Sequence, residues 1–254
     1  MSRALAVAAN TFRETVRERV LYNLILFALV MIGSGLLLGQ LSIRQDEKII
    51  KDIGLAAMEL FGTLIAVFIG TGLVSKEIER RSLFPLLAKP LSRGELFLGK
   101  FAGLAFTLLV NISVMTAGLY LTLLATARRA DPLLVSAILP IYLGLLLVVA
   151  FAMLFSSLTS SALAAIFTVG IAVAGRFTDM VRNLREVIPG APPWLGQVLY
   201  AALPNFAHFD LKDRVTYGDP VPAAVLVWIA VYAFAWIGIV LSLGLAAFRS
   251  RDFQ

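Results

Sequence analysis

Few residues in this chain of 254 could do covalent or metal chemistry. There is no cysteine and a single histidine, His208, so a thiolate nucleophile, a disulfide, a Cys-ligated metal and a multi-His relay are excluded. No apolar run contains a pair of carboxylates, and neither His-Glu-x-x-His nor Gly-x-Ser-x-Gly occurs, which leaves no hydrolytic centre to assemble. Gly94-Glu95-Leu96-Phe97-Leu98-Gly99-Lys100 imitates a phosphate-binding loop. A working loop needs a hydroxyl after the lysine for Mg²⁺, pliant residues whose N–H groups curl round phosphate, and a preceding strand. Here Phe101 follows the lysine, bulky helix formers fill the interval, and an apolar run begins at once. The chain is expected to be no enzyme and to bind no ATP, cofactor or metal itself.

Two polar residues inside apolar runs remain. Glu59 is the one acidic residue in such a run, and an ionised side chain at a bilayer centre costs about 3 kcal/mol on insertion scales, so it marks a functional site by default. The alternative is that the run begins near Met58, leaving Glu59 wet at the outer interface. Asn111 reads as an interhelical hydrogen-bond partner or, alternatively, a ligand on a substrate path.

The densest charge lies in Lys76 to Lys100, KEIERRSLFPLLAKPLSRGELFLGK. Ser82 can cap a short helix whose first turn holds Leu83, Phe84 and Pro85, where a missing N–H is harmless. Leu83, Leu86 and Leu87 then share one face and Pro90 ends the run. Ser92-Arg93-Gly94-Glu95 is a capping-box pattern for the next helix. Such a helix, bracketed by Arg80, Arg81, Lys89 and Arg93, suits either a groove on another protein or lipid headgroups.

The elements that must hold these residues are membrane helices. The chain is 59% hydrophobic and 15% charged with a mean hydropathy of +0.89, far from a soluble domain's composition. Runs near the roughly 20 residues needed for a span are Leu21 to Leu41, Leu55 to Val74, Leu96 to Thr126, Leu133 to Leu158, the short Ala162 to Gly175, and Ala223 to Phe248. Residues 1–20 form an interfacial amphipathic helix, with Leu5, Ala8, Ala9, Phe12, Val16 and Val20 near one side. Residues 176–222 make a helical outer loop between spans 5 and 6, a gate, a docking site or a plain lid. The fold class is thus all-α: one polytopic transmembrane domain, 1–254, with six transmembrane helices. Gly35/Gly39, Gly62/Ala66, Gly99/Gly103 and Ala165/Val169 are small-residue pairs suited to close helix packing.

Lys and Arg cluster at the N-terminus, in Lys76 to Lys100 and at Arg249 and Arg251, so both termini are expected in the cytoplasm. The short outer loops would then carry Arg44, Lys48, Lys51, Arg128 and Arg129. The net charge of +6 serves topology and lipid contact, and no nucleic-acid partner is expected.

The order Glu77-Ile78-Glu79-Arg80-Arg81-Ser82-Leu83, then Leu86-Leu87-Ala88-Lys89-Pro90-Leu91-Ser92-Arg93, then Glu95 to Lys100, resembles the cytoplasmic segment after the second membrane helix of ABC-2 type transporter permeases. It is closest to the branch that includes permeases of multicopper-enzyme maturation systems. The resemblance implies a coupling helix within residues 76–95 that sits on a separate ATP-binding cassette subunit, the holder of ATP and Mg²⁺. The coupling residues would be Glu77, Glu79, Arg80, Arg81, Ser82, Leu83, Leu86, Leu87, Lys89 and Arg93. It further implies a second permease copy, identical or paralogous, and a bacterial or archaeal cytoplasmic (inner) membrane. Export is the implied direction. Asn205 lies in a Pro-Asn-aromatic stretch resembling that branch and joins Glu59 and Asn111 as candidates for a substrate path or outer gate. The other reading is a membrane scaffold that passes ATPase-driven movement to an extracytoplasmic accessory protein, with no substrate crossing.

Overall fold

The computed structural model describes residues 3–15, 26–31, 33, 46–80, 92–126, 131–178, 180 and 192–250. Its elements are helical: α1 (Arg3–Thr15), α2 (Asp46–Arg80), α3 (Arg93–Thr126), α4 (Leu134–Leu158), α5 (Ser161–Ala174), a 3-10 turn (Gly175–Phe177), α6 (Pro193–Ala202), a second 3-10 turn (Phe206–Phe209), α7 (Lys212–Thr216) and α8 (Ala223–Ser250). Among the described residues no strand occurs.

Among the described residues, four stretches are long and apolar enough to cross a membrane: Glu47–Gly72, Gly94–Thr126, Leu134–Leu158 and Ala223–Phe248. The shorter apolar helix Ser161–Phe177 matches the short fifth run. Of the first run only residues 26–31 and 33, all helical, are described.

The bundle is organised around α4. This helix is apolar on every side, as a helix enclosed by others must be, and packs against α2, α3, α5 and α8. Close approach is set by missing side chains. A Cβ on Gly70 would lie 2.5 Å from the Cβ of Ala152, and one on Gly62 would lie 2.5 Å from the Leu145 side chain. Gly244 lets α8 meet Phe97 and the Leu154 backbone. Of the expected small-residue pairs, Gly62/Ala66 faces the core and Gly103 admits α1, whereas Val169 is exposed. Gly35 and Gly39 lie outside the described residues.

Three sequence expectations need correction. The second helix starts at Asp46, not Leu55, so Lys48 and Lys51 are helical and Lys51 is buried rather than in a loop. Of the expected face of α1, Phe12 packs on α3, its ring 4.8 Å from that of Phe106, but Leu5 is exposed and the fully buried positions are Thr11 and Thr15. The segment 204–216, expected over the end of the bundle, packs into it. Phe206, Phe209 and Val215 are core residues. Phe209 lies against Gly144, about 15 Å along α4 from Leu134 at the usual helical rise.

Candidate functional site

The charged segment hangs between two helices longer than a bilayer requires. The helix α2 has 35 residues and α3 has 34, about 50 Å each against a hydrocarbon core of about 30 Å. Glu77, Glu79 and Arg80 fall in the last turns of α2 and Arg93 is the first residue of α3; their side chains are outside the described set. Arg81, Ser82, Leu83, Leu86, Leu87 and Lys89 lie outside the described residues. The capping box is present. The Ser92 backbone N–H donates to Glu95 Oε2 at 3.0 Å, and the Glu95 N–H donates to Ser92 Oγ at 3.2 Å, satisfying two donors reciprocally at the start of α3. The phosphate-loop mimic, residues 94–101, is helical throughout, a geometry in which its N–H groups cannot curl round a phosphate.

Glu59 sits toward the opposite end of α2 and is neither bare nor freely wet. Its Oε1 accepts from the Arg176 guanidinium, in the turn that closes α5, and its Oε2 accepts from Lys212 Nζ at 2.5 Å. Lys212 also lies 3.4 Å from Asp210. Burial is the strongest single influence and works against the Lys212 charge, but the hydrogen bonds and attraction of Glu59 and Asp210 together outweigh it and hold its pKa above the ordinary 10.5. The cluster thus balances two cations with two carboxylates. Beside it lies a cavity of about 20 Å³ lined by Glu59, Thr63, Ala172, Arg176, Phe206 and Phe209 among others, room for about one water and far too small for an organic cargo.

Closer to the α2 N-terminus, Lys51 lies between Glu47 and Asp131, each at 2.6 Å. Asp131 also accepts the Leu133 N–H at 2.9 Å through Oδ1, and its carbonyl accepts the Tyr120 hydroxyl at 3.0 Å. Burial of Asp131 favours its neutral form, yet the bonds from Lys51 and the Leu133 N–H prevail and hold its pKa below the ordinary 3.8.

The other two candidates do not join Glu59. Asn111 is fully buried on α3, and neither of its amide atoms has a hydrogen-bond partner among the described residues, so the expected interhelical bond is not found there. Asn205 caps the second 3-10 turn: its Oδ1 accepts from the Ala207 N–H at 2.9 Å, and its own N–H donates to the Tyr232 hydroxyl at 2.7 Å. That is a folding role for the segment that brings Phe209 and Lys212 inward.

Sequence reasoning missed Arg176, Lys212 and the Lys51–Asp131 pair. A usable signal existed for the first: an intramembrane carboxylate calls for a cation, and Arg176 is the first one after the fifth apolar run.

No curated protein matches the chain. The family described as ABC-2 family transporter protein matches residues 5–182, which take in the charged segment, its two flanking helices, the central helix α4 and the Glu59–Arg176 pair. The chain belongs to this family of transporter proteins, as an integral membrane permease subunit that is not itself catalytic.

Proposed function

We propose that the permease converts ATP hydrolysis by a separate ATP-binding cassette subunit into substrate export, with residues 76–95 as the coupling segment. The observation that carries this reading is the family match over residues 5–182, which takes in the charged segment together with the two long helices whose facing ends, Arg80 and Arg93, it joins. Leu83, Leu86 and Leu87 fill a groove on the ATPase, while Glu77, Glu79, Arg80, Arg81, Lys89 and Arg93 set its register, and Ser82 starts the coupling helix. Two copies, or one copy and a paralogue, face each other across the path. Each contributes six spans, with both termini in the cytoplasm of a bacterium or archaeon, residues 1–20 along the inner surface and residues 176–222 toward the outside. ATP and Mg²⁺ belong to the partner.

The test is a mild-detergent purification of the tagged chain with its partners. A Walker-motif ATPase is expected at near-equal stoichiometry. Leu86→Asp is expected to abolish coupled ATPase activity or the association itself while leaving membrane insertion unchanged. Normal coupling in that variant would sink the assignment.

A further inference from the structure

Glu59 joins three separate parts of the chain. Arg176 and Lys212, its two partners, are 117 and 153 residues away in sequence. The helix α2 is long and unbroken from Asp46 to Arg80, so Glu59 and the charged residues Lys76, Glu77, Glu79 and Arg80 ride on one rod. The partners sit on a three-residue turn and a five-residue helix. The turn is locked to the segment that leads into the helix: a Cβ on Gly175 would lie 2.4 Å from the Phe206 ring and 2.5 Å from the Pro204 carbonyl oxygen. The end of α5 and residues 204–209 therefore form one unit, wedged on α4 through Phe209, and α7 follows it in the chain and packs on α2 and α4. Where α2 meets this unit at Glu59, the small cavity leaves the join incompletely packed, and charge closes it.

We propose that Glu59, Arg176 and Lys212 form a latch that holds α2 against this unit in the resting permease and opens when nucleotide binding on the partner ATPase swings α2. The inference rests on the coupling role assigned above to residues 76–95. The released cations have somewhere to go. Lys212 keeps Asp210, and the Arg176 side chain is already 47% exposed. Only Glu59, with a side chain 19% exposed, must find a new partner, which makes it the positioning residue of the device.

The absence of cysteine allows a direct test. Thr63→Cys with Ala172→Cys places thiols on α2 and α5, both lining the cavity, and leaves all three latch residues in place. In the purified permease–ATPase complex in lipid nanodiscs, a short bifunctional thiol reagent should crosslink the pair within one chain rapidly without nucleotide. With a non-hydrolysable ATP analogue the rate should fall about tenfold, within the usual range of coupling between sites. Adding Glu59→Gln should give the slow rate with or without nucleotide, and Lys212→Gln supplies the same comparison from the other side of the join should the first variant not assemble. A crosslinking rate indifferent to nucleotide, in a complex whose ATPase still responds to Leu86→Asp, overturns the latch and leaves the coupling segment standing. The parental rate and nucleotide response in both latch variants also overturn it. A preparation that yields no ATPase overturns the latch and the coupling reading together.

Discussion

Two ion clusters sit on α2 about two turns apart, and they are built in opposite senses. At the first, a buried cation, Lys51, lies between two carboxylates; at the second, a carboxylate, Glu59, lies between two cations. The distances are similar, but the supports differ. Lys51 draws Glu47 from its own helix and Asp131 from the entry to α4, where a backbone N–H and the Tyr120 hydroxyl brace it. Glu59 draws on short elements beside a cavity. What the partners are mounted on, more than how closely they approach, separates a fixed anchor from a joint that can open.

The largest test of that contrast is stability. Lys51→Met leaves two carboxylates near a buried site with no cation and should cost about 3 to 5 kcal/mol. Glu59→Gln retains a hydrogen-bonding group and leaves Lys212 its Asp210, so a loss of about 1 to 2 kcal/mol is expected. Thermal unfolding in detergent, followed by tryptophan fluorescence, ranks the two. A Glu59→Gln loss as large as that of Lys51→Met would erase the distinction.

Acid sharpens it next. The Asp131 pKa is depressed on folding, so its contribution is fully present above the ordinary 3.8 and is lost as pH falls through the lower folded value. Unfolding midpoints should therefore carry an acid-side decrease in the parent protein that is missing from Asp131→Asn. Identical acid profiles would remove Asp131 from the anchor.

The smallest effect belongs to the capping box. Ser92→Ala should cost about 1 kcal/mol, felt as faster hydrogen exchange over the first turn of α3 with the two ion clusters unaffected. Protection unchanged at Glu95 and Leu96 would mean that the reciprocal bonds add nothing.

These differences in reach also explain which parts of the fold were legible in sequence. The capping box is local, four residues whose partners are each other, and it was readable. The apolar runs predicted α3, α4 and α8 closely because burial on most sides leaves a continuous apolar record. The start of α2 was misjudged because Asp46 to Asp52 is charged, and hydropathy measures immersion, not helix length; Lys51 supports those turns through Glu47 and through Asp131, 80 residues away. The face of α1 is read only in part: Phe12 packs on α3 as expected, whereas Thr11 and Thr15 are missed because threonine scores as polar. In a helix the Thr15 hydroxyl donates to the Thr11 carbonyl at 2.8 Å, and a hydroxyl so satisfied can be buried. Glu59 announced itself as costly, yet its cations come from elements whose meeting depends on the packing of Phe206, Phe209 and Gly175.

The bare contact at Gly70 is one of two bearings of α2 on α4. There the rod meets Ala152, and eight residues earlier, at Gly62, it meets Leu145, about 12 Å away at the usual helical rise. A rod held at two points cannot tip about one of them without lifting off the other. Any swing that frees Glu59 must therefore also part Gly62, three residues further along, from Leu145.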